Sequence, residues 1–438
     1  MARRAARRLA VHDRGGRLMY LSESRRSDSH AKAADAEGEP TSGRTATTRV
    51  LAGNVVALGV VSLLTDVSSE MVTAILPLYL FYQLSLNPAQ FGLLDGLYTG
   101  ATAVLRLVGG HVADRFRRRK LVAGAGYGLS AVVKLGYLAA GRSVPLIGLM
   151  IGLDRTGKGL RTAPRDAMIS LSAPPEAQGR AFGLHRAMDT VGALMGPLVA
   201  FGVVAAVGSA YDAVFVVSFC VALLGVLVLV LFVREPGGPA RERPKVTLRD
   251  TVTLLRDRPY RRVLTAMVPL SIATVSDSFL YLVVQRGAGL DAGWLPLLPV
   301  AVSAAYLLAA VPFGRLADRV GRSTVVVGGY AALLACYALL LLPQGPAVLV
   351  AVLVLRGLSY AATDGVVSAL AGPLLPEERR ATGLAVVQTG QALGAMAASW
   401  AFGVLWTALG SRTAVTVMAA ALCLALAVAV PLLRKARA

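Results

Sequence analysis

Two short stretches hold most of the residues able to do chemistry. The first, "TDVSSEM" at 65–71, carries Asp66 and Glu70. Four residues apart, they share one face of any helix that contains them. The second, "GLDRTGKGLRTAPRD" at 152–166, sets Asp154, Arg155, Lys158, Arg161, Arg165 and Asp166 directly behind the apolar run "VPLIGLMIG". Gly152, Gly157 and Lys158 fit the spacing of a phosphate loop. Such a loop joins a strand to a helix, however, and needs Ser or Thr after its lysine so that the hydroxyl can bind magnesium. Gly159 stands there instead. The charges read better as the polar lining of a cavity. His185 and Asp189 are again one helical turn apart, with Arg186 beside them on another face, and Asp277 stands nearly alone in "TVSDSFLYLVV", with Asp364 its main acidic company. Asp66, Glu70, Asp189 and Asp277 are candidate proton carriers. Arg155, Lys158, Arg161, His185 and Arg186 are candidates for pairing with them or for holding a substrate. A static ion pair that only orients helices is the plainer role for Arg155.

The elements that must position these groups are membrane helices. Hydrophobic residues make up 55% of the 438-residue chain and charged residues 16%, and mean hydropathy is +0.61, outside the range of ordinary soluble domains. About twelve apolar stretches are long enough to cross a ~30 Å hydrocarbon core as helices. They cover 52–82, 89–110, 121–140, 144–166, 179–207, 211–233, 262–285, 292–315, 323–342, 346–371, 379–408 and 412–433. None alternates apolar with polar residues as a barrel strand must, so the fold class is all-α, integral to the membrane. An ionised side chain at the bilayer centre costs at least ~2.5–3.5 kcal/mol, so the charges in spans 1, 4 and 5 must face partners or water. Counted in from the ends of their spans, Asp66 and Arg155 both fall near mid-membrane and are expected to meet. The first half holds most of these charges, so it is expected to couple ions while the second half shapes the pocket.

The net charge of +20 sorts by loop rather than covering one surface, so it reports topology and not a nucleic-acid partner. Arg115, Arg117, Arg118, Arg119 and Lys120, a dense set between 234 and 262, then Arg315, Arg319, Arg322, Arg379, Arg380, Arg434, Lys435 and Arg437 all fall on one side. The positive-inside rule places that side, with both termini, in the cytoplasm. The chain is expected to divide into a disordered cytoplasmic tail (1–49), a six-helix bundle (50–234), a cytoplasmic linker (235–260) and a second bundle with a short tail (261–438). The opening basic run lacks the apolar core of a signal peptide. Cys220, Cys336 and Cys423 show no pairing or metal-ligand spacing, so no metal is expected.

The halves echo each other at a period of about 200 residues, as parallel repeats do in many transporters. "GHVADRFRRRK" at 110–120 answers "GRLADRVGRST" at 314–324, "PEAQGRAFGL" at 175–184 answers "PEERRATGL" at 376–384, and Arg155 answers Arg356. On these residues the chain resembles the major facilitator superfamily of secondary transporters. That family's loop signature, G-x-L-x-D-R-x-G-R-[RK], is matched at 314–322. Its first copy keeps Gly110, Asp114 and Arg115 but has Val112 for Leu and Arg117 for the second Gly. Arg155 with Gly159 fits the family's fourth-helix pattern. "GALMGP" at 192–197 resembles the G-x-x-x-G-P element that marks proton antiporters, although Gly192, Gly196 and Pro197 also suit simple close packing and bending of a helix. "TDVSSEM" and "DRTGKGLRTAPRD" resemble a prokaryotic branch that includes siderophore-related transporters.

The resemblance implies two six-helix bundles in the cytoplasmic membrane, a small-molecule substrate, protons as the energy source, no cofactor, and a functional monomer surrounded by lipid. Gly110, Asp114 and Arg115, with Gly314, Asp318 and Arg319, are expected to act as cytoplasmic gates. Proton-coupled export is the leading expectation, and import of a polar or anionic solute such as a siderophore-like metabolite is the alternative. A transport-inactive sensor or assembly factor lacks support from any added domain. An enzyme lacks a nucleophile–base set or metal cluster.

Overall fold

The computed structural model describes residues 42–115, 118–174, 177–208, 210–235, 254, 256–343, 345–375 and 380–435, with side chains at 42–52, 102–115 and 380–382 excepted. Among these residues the secondary structure is helical, without strands. The first half comprises α1 (Ser42–Leu78), continued by a π-helical turn (Tyr79–Gln83), α2 (Pro88–Arg115), α3 (Arg119–Ala140), α4 (Val144–Leu171), α5 (Gln178–Val207) and α6 (Tyr211–Phe232). The second comprises α7 (Arg258–Ile272), α8 (Asp277–Gly287), a 3-10 turn (Ala292–Leu297), α9 (Leu298–Val320), α10 (Arg322–Leu340), α11 (Pro346–Ala371), α12 (Arg380–Leu409) and α13 (Ser411–Lys435). The expected tail 1–49 falls outside the described residues as far as 41, and from Ser42 the chain is already helical.

Ten helical segments among the described residues are long and apolar enough to cross a membrane. The two expected spans outside that set are α2, whose side chains are described only over 88–101, and α4, which carries the charged stretch 154–166. Packing shelters that stretch: α4 lies against α2 and α3, and α2 lies in turn against α12 of the other half. A helix shielded from lipid need not be apolar all round. By contrast α6, with a mean hydropathy of 3.2, leaves Leu223, Leu224, Leu227, Leu231 and Phe232 exposed, a face that only lipid can cover.

The expected span 262–285 is not one helix. α7 ends at Ile272, and Ser276 caps a new helix, its side chain accepting from the Phe279 amide. The backbone freed between them must be satisfied inside the protein, because lipid cannot do so. Tyr337 of α10 does this: its hydroxyl accepts from the Val275 amide at 2.7 Å and donates to the Ala273 carbonyl at 3.2 Å. The loop signature has an equally local cause. Gly321 joins α9 to α10 at φ +95°, a conformation that costs a residue with a Cβ far more than glycine.

The halves close on each other at the end that carries the α1–α2 connection. A Cβ on Gly92 would stand 2.5 Å from the Ser399 carbonyl oxygen, one on Gly96 2.7 Å from that of Met396, and one on Gly403 2.3 Å from that of Pro88. α2 and α12 are therefore in backbone contact. The run 92–100, G-x-x-x-G-x-x-x-G, is the pattern that permits it. Aromatic contacts extend the seal: Phe91 and Phe279 pack edge to face at 4.8 Å, and Phe201 lies 5.6 Å from Trp294. Within it Ser399 donates to the buried Asp95 carboxylate at 2.6 Å. Because this seal must part in any alternating cycle, Gly96→Val is expected to hold it open. Cysteines placed along α2 near Gly92 would then react faster with an impermeant reagent from that side than in the parent protein.

Candidate functional site

α1, α4 and α5 meet around the two carboxylates of the first helix. Glycines set the approach. A Cβ on Gly192 would lie 2.7 Å from the Leu63 carbonyl oxygen and 3.1 Å from the Asp66 Cβ, and one on Gly196 would lie 2.5 Å from the Glu70 Cβ. Gly59 likewise faces Met188, so α1 and α5 run parallel in step. Buried Pro197 follows directly. The motif 192–197 thus presses α5 onto the backbone that carries Asp66 and Glu70.

α4 crosses them from the other side, running antiparallel to α1. Arg161 Nη2 lies 3.8 Å from Asp66 Oδ1, and one turn on, Arg165 Nη1 donates to Ser62 Oγ at 3.1 Å. The Arg161 guanidinium also sits over the Tyr127 ring of α3 at 4.7 Å. The expected meeting of Asp66 with Arg155 is therefore corrected to Asp66 with Arg161. The two helices share the end bearing the α1–α2 and α3–α4 connections. Counted inward from Gln83 and from Val144, Asp66 and Arg161 lie equally deep. Counting α1 from its other end misplaced Asp66, because the helix starts well before residue 52.

Arg155 has different company. It bonds its neighbour Asp154, lies over the Tyr98 ring at 3.9 Å, and through that tyrosine reaches Thr73, whose Oγ1 is 2.6 Å from the Tyr98 hydroxyl. Lys134 Nζ stands 3.9 Å from Asp154 Oδ1 and donates to the Ser130 carbonyl at 2.9 Å. Asp154, Arg155 and Lys134 are all buried. This cluster ties α2, α3 and α4 together, and with both cations in reach of the one Asp154 carboxylate it suits a structural role.

Glu70 and Lys158 are half-buried, and Lys158 exerts the largest charge interaction on Glu70 and also acts on Asp66. Lys158 has no ion pair within 4 Å among the described residues. His185 is buried, with Nε2 3.6 Å from Asp189 Oδ2. Arg186 is exposed and faces the second half, where its charge reaches Tyr306, itself donating to Asp364 at 3.3 Å.

Asp277 is not alone. It begins α8 at the helix break, and Arg356 Nε donates to its Oδ1 at 2.6 Å while the Tyr360 hydroxyl donates to Oδ2 at 2.6 Å. Arg356 Nη2 in turn donates to the Tyr360 oxygen at 2.9 Å. Asp364, expected as its acidic company, is held by Tyr306 instead. Among the described residues no group of His, Cys, Asp and Glu could hold a metal.

At the gate motif, exposed Asp318 lies 3.9 Å from Arg322, and Arg322 Nη1 donates to the Ala369 carbonyl of α11 at 2.6 Å. Arg322 rather than Arg319, which is simply exposed, makes the bridge between helices. Gly314 lies on the last turns of α9. Gly110, Asp114 and Arg115 lie at the end of α2, and their side chains are outside the described residues. Asp318→Asn is expected to slow cycling while leaving equilibrium substrate binding near the parent level, which initial transport rates and binding isotherms would separate.

Comparison with known proteins agrees with this geometry. The Major Facilitator Superfamily model matches residues 58–304 and 288–438. An uncharacterised MFS-type transporter of Methanocaldococcus jannaschii is 30% identical over 373 residues, spanning 82% of this chain and 89% of that protein. The fosmidomycin resistance protein of Escherichia coli is 25% identical over 306 residues, spanning 66% and 72%. The crystal structure of the nucleoside transporter NupG superposes with a TM-score of 0.73 at 14% identity, covering 86% of this chain and 98% of that one, which speaks for the fold alone.

Proposed function

Because the chain belongs to the major facilitator superfamily, we propose that it works as a proton-coupled secondary transporter that exports a small organic molecule by alternating access, using no cofactor beyond the proton gradient. The observation that carries this reading is the placing of two half-buried carboxylates, Asp66 and Glu70, on one face of α1 against Arg161 and Lys158 of α4. Deprotonated, Asp66 holds Arg161, and Glu70 attracts Lys158 without closing an ion pair with it. A proton arriving on either carboxylate weakens that hold, and a substrate that competes for the same basic groups makes proton and substrate binding mutually dependent. A relative named for fosmidomycin resistance fits outward movement of a small molecule.

We propose that the protein works in the cytoplasmic membrane with both termini inside, as a monomer in lipid; the sorting of basic residues to one set of loops supports the orientation. A cysteine at Asp291 should then react only from outside and one at Gly238 only from inside.

Lys158, free of ion pairs among the described residues, favours one second reading, symport of a polar or anionic solute. Liposomes separate the two. A one-unit pH difference is worth about 1.4 kcal/mol per proton, enough for about tenfold accumulation in one-for-one coupling. Antiport concentrates substrate when the lumen is acidic, and symport when the outside is acidic. A screen across solute classes with both gradients reads the sign directly, and accumulation with neither gradient would oppose proton coupling.

A further inference from the structure

Polar atoms without protein partners are concentrated in one part of the first bundle. His185 Nδ1 and Nε2, Asp189 Oδ1, Arg161 Nη1 and Tyr127 Oη are buried and make no hydrogen bond among the described residues. Native interiors partner the great majority of such atoms, with internal water where protein cannot reach. Here five belong to α3, α4 and α5 where these helices pack around Asp66 of α1, with Arg161 linking Tyr127 to Asp66 and Asp189 within 3.6 Å of His185. His185 is only 4% exposed, so bulk water does not satisfy it.

The register of the helices orders these groups. Gly192 touches Asp66, Asp189 precedes it by about one turn, and His185 precedes Asp189 by another. On α4, Arg161 stands beside Asp66, and Arg165 and Asp166 stand one turn further toward the α4–α5 connection. Asp189 acts electrostatically on Asp66, and Arg165, Asp166 and Arg186 act on His185. Leu184 and Arg186, on either side of His185, are exposed. Seven residues of helix span about 10 Å. That is several times the ~2.8 Å over which a proton passes between hydrogen-bonded oxygens.

We propose that Asp189 and His185 relay protons between Asp66 and the end of the bundle bearing the α4–α5 connection, through water held among these helices. The inference rests on the proton-coupled reading above. In the relay a proton leaving the Asp66 carboxyl passes through water to the Asp189 carboxylate. Asp189 gives it to the neutral imidazole at Nε2, and the imidazolium releases a proton from Nδ1 to water at the exposed margin. Water-assisted transfer of the remaining proton from Nε2 back to Nδ1 restores the starting tautomer, so one proton is moved and no group is consumed. Among the described residues Asp189 of α5 stands in ion-pair range of the histidine, Arg165 and Asp166 of α4 and the exposed Arg186 act on it at longer range, and Ser62 and Asp66 of α1 neighbour Arg165 and Arg161.

The test uses the full-length protein in liposomes with a lumenal pH dye, comparing the parent with His185→Gln, Asp189→Asn and Asp66→Asn. His185→Gln and Asp189→Asn keep hydrogen-bonding ability and size but do not carry a proton in this range. Each is expected to slow substrate-driven proton movement about 100-fold, the low end of what positioned acid–base groups contribute. Any fall in substrate counterflow at equal pH on both sides should be at least about tenfold smaller than the fall in proton movement. A spacer role predicts parent rates for both fluxes, or an equal fall in both, and either outcome would overturn the relay. If instead the parent moves no protons with substrate, the coupling reading itself is wrong. If Asp66→Asn uncouples while both relay variants behave as the parent, only the relay is.

Discussion

The double variant Asp66→Asn, Glu70→Gln is expected to lose gradient-driven accumulation altogether while still exchanging substrate across the membrane. Both substitutions preserve shape, so α5 can still seat Gly192 and Gly196 on α1, and the cavity keeps its outline. What disappears is the pair of groups whose charge can change. Arg161 keeps its seat over Tyr127 but loses its carboxylate. Breaking one side of a buried pair costs about 3–5 kcal/mol, and less here because Asp66 retains 21% side-chain exposure. Reduced expression is therefore expected together with the uncoupling. Counterflow normalised to the amount of reconstituted protein separates the two. Undiminished accumulation in the double variant would shift the coupling role to Asp189 or Asp277.

Removing Asp277 is the largest expected loss of stability. Arg356 is buried, with 5% of its side chain exposed, and both of its charge-bearing contacts run through Asp277 and Tyr360. Asp277→Ala strands that guanidinium and also unpairs the Tyr360 hydroxyl, for a cost of about 3–5 kcal/mol. Asp277→Asn leaves an acceptor for Arg356 and should cost clearly less. Thermal unfolding in detergent, followed by the loss of the monodisperse peak, would rank the parent, Asn and Ala forms in that order. Equal melting of the Ala form and the parent would show that the cluster at the α7–α8 break is not a structural clamp. The acidic group then becomes available for a role in transport.

The architecture was legible because membrane insertion imposes a coarse and long-range rule. Apolar length, loop charge and the repeated "ADR" motifs each report on it independently, and the chain cannot satisfy them in another fold. Depth within a span was less legible. Asp66 found Arg161 rather than Arg155 because the helix end that sets its depth is Gln83, after a π-helical turn that no periodicity announces. Arg155 pairs with the adjacent Asp154, against the rule that neighbours in a helix face apart; the long guanidinium side chain bends back where the shorter carboxylate cannot reach out. Ser399, Tyr360 and Lys134 went unread as site neighbours. Each is polar for a partner on another helix, and single-sequence spacing carries no information about that. Two signals were present and decisive in retrospect: the glycine run 92–100, and Ser276 ahead of Asp277, an N-cap followed by an acidic first turn.

The central claim, that substrate and protons move in obligatory exchange through the first bundle, is tested most directly by adding substrate to sealed proteoliposomes with no initial pH difference and following lumenal pH. The account predicts that inward substrate movement drives protons out, raising lumenal pH in proportion to the substrate gained, and that the signal vanishes in the Asp66→Asn, Glu70→Gln variant. Substrate uptake by the parent with lumenal pH unchanged, or falling, would contradict it.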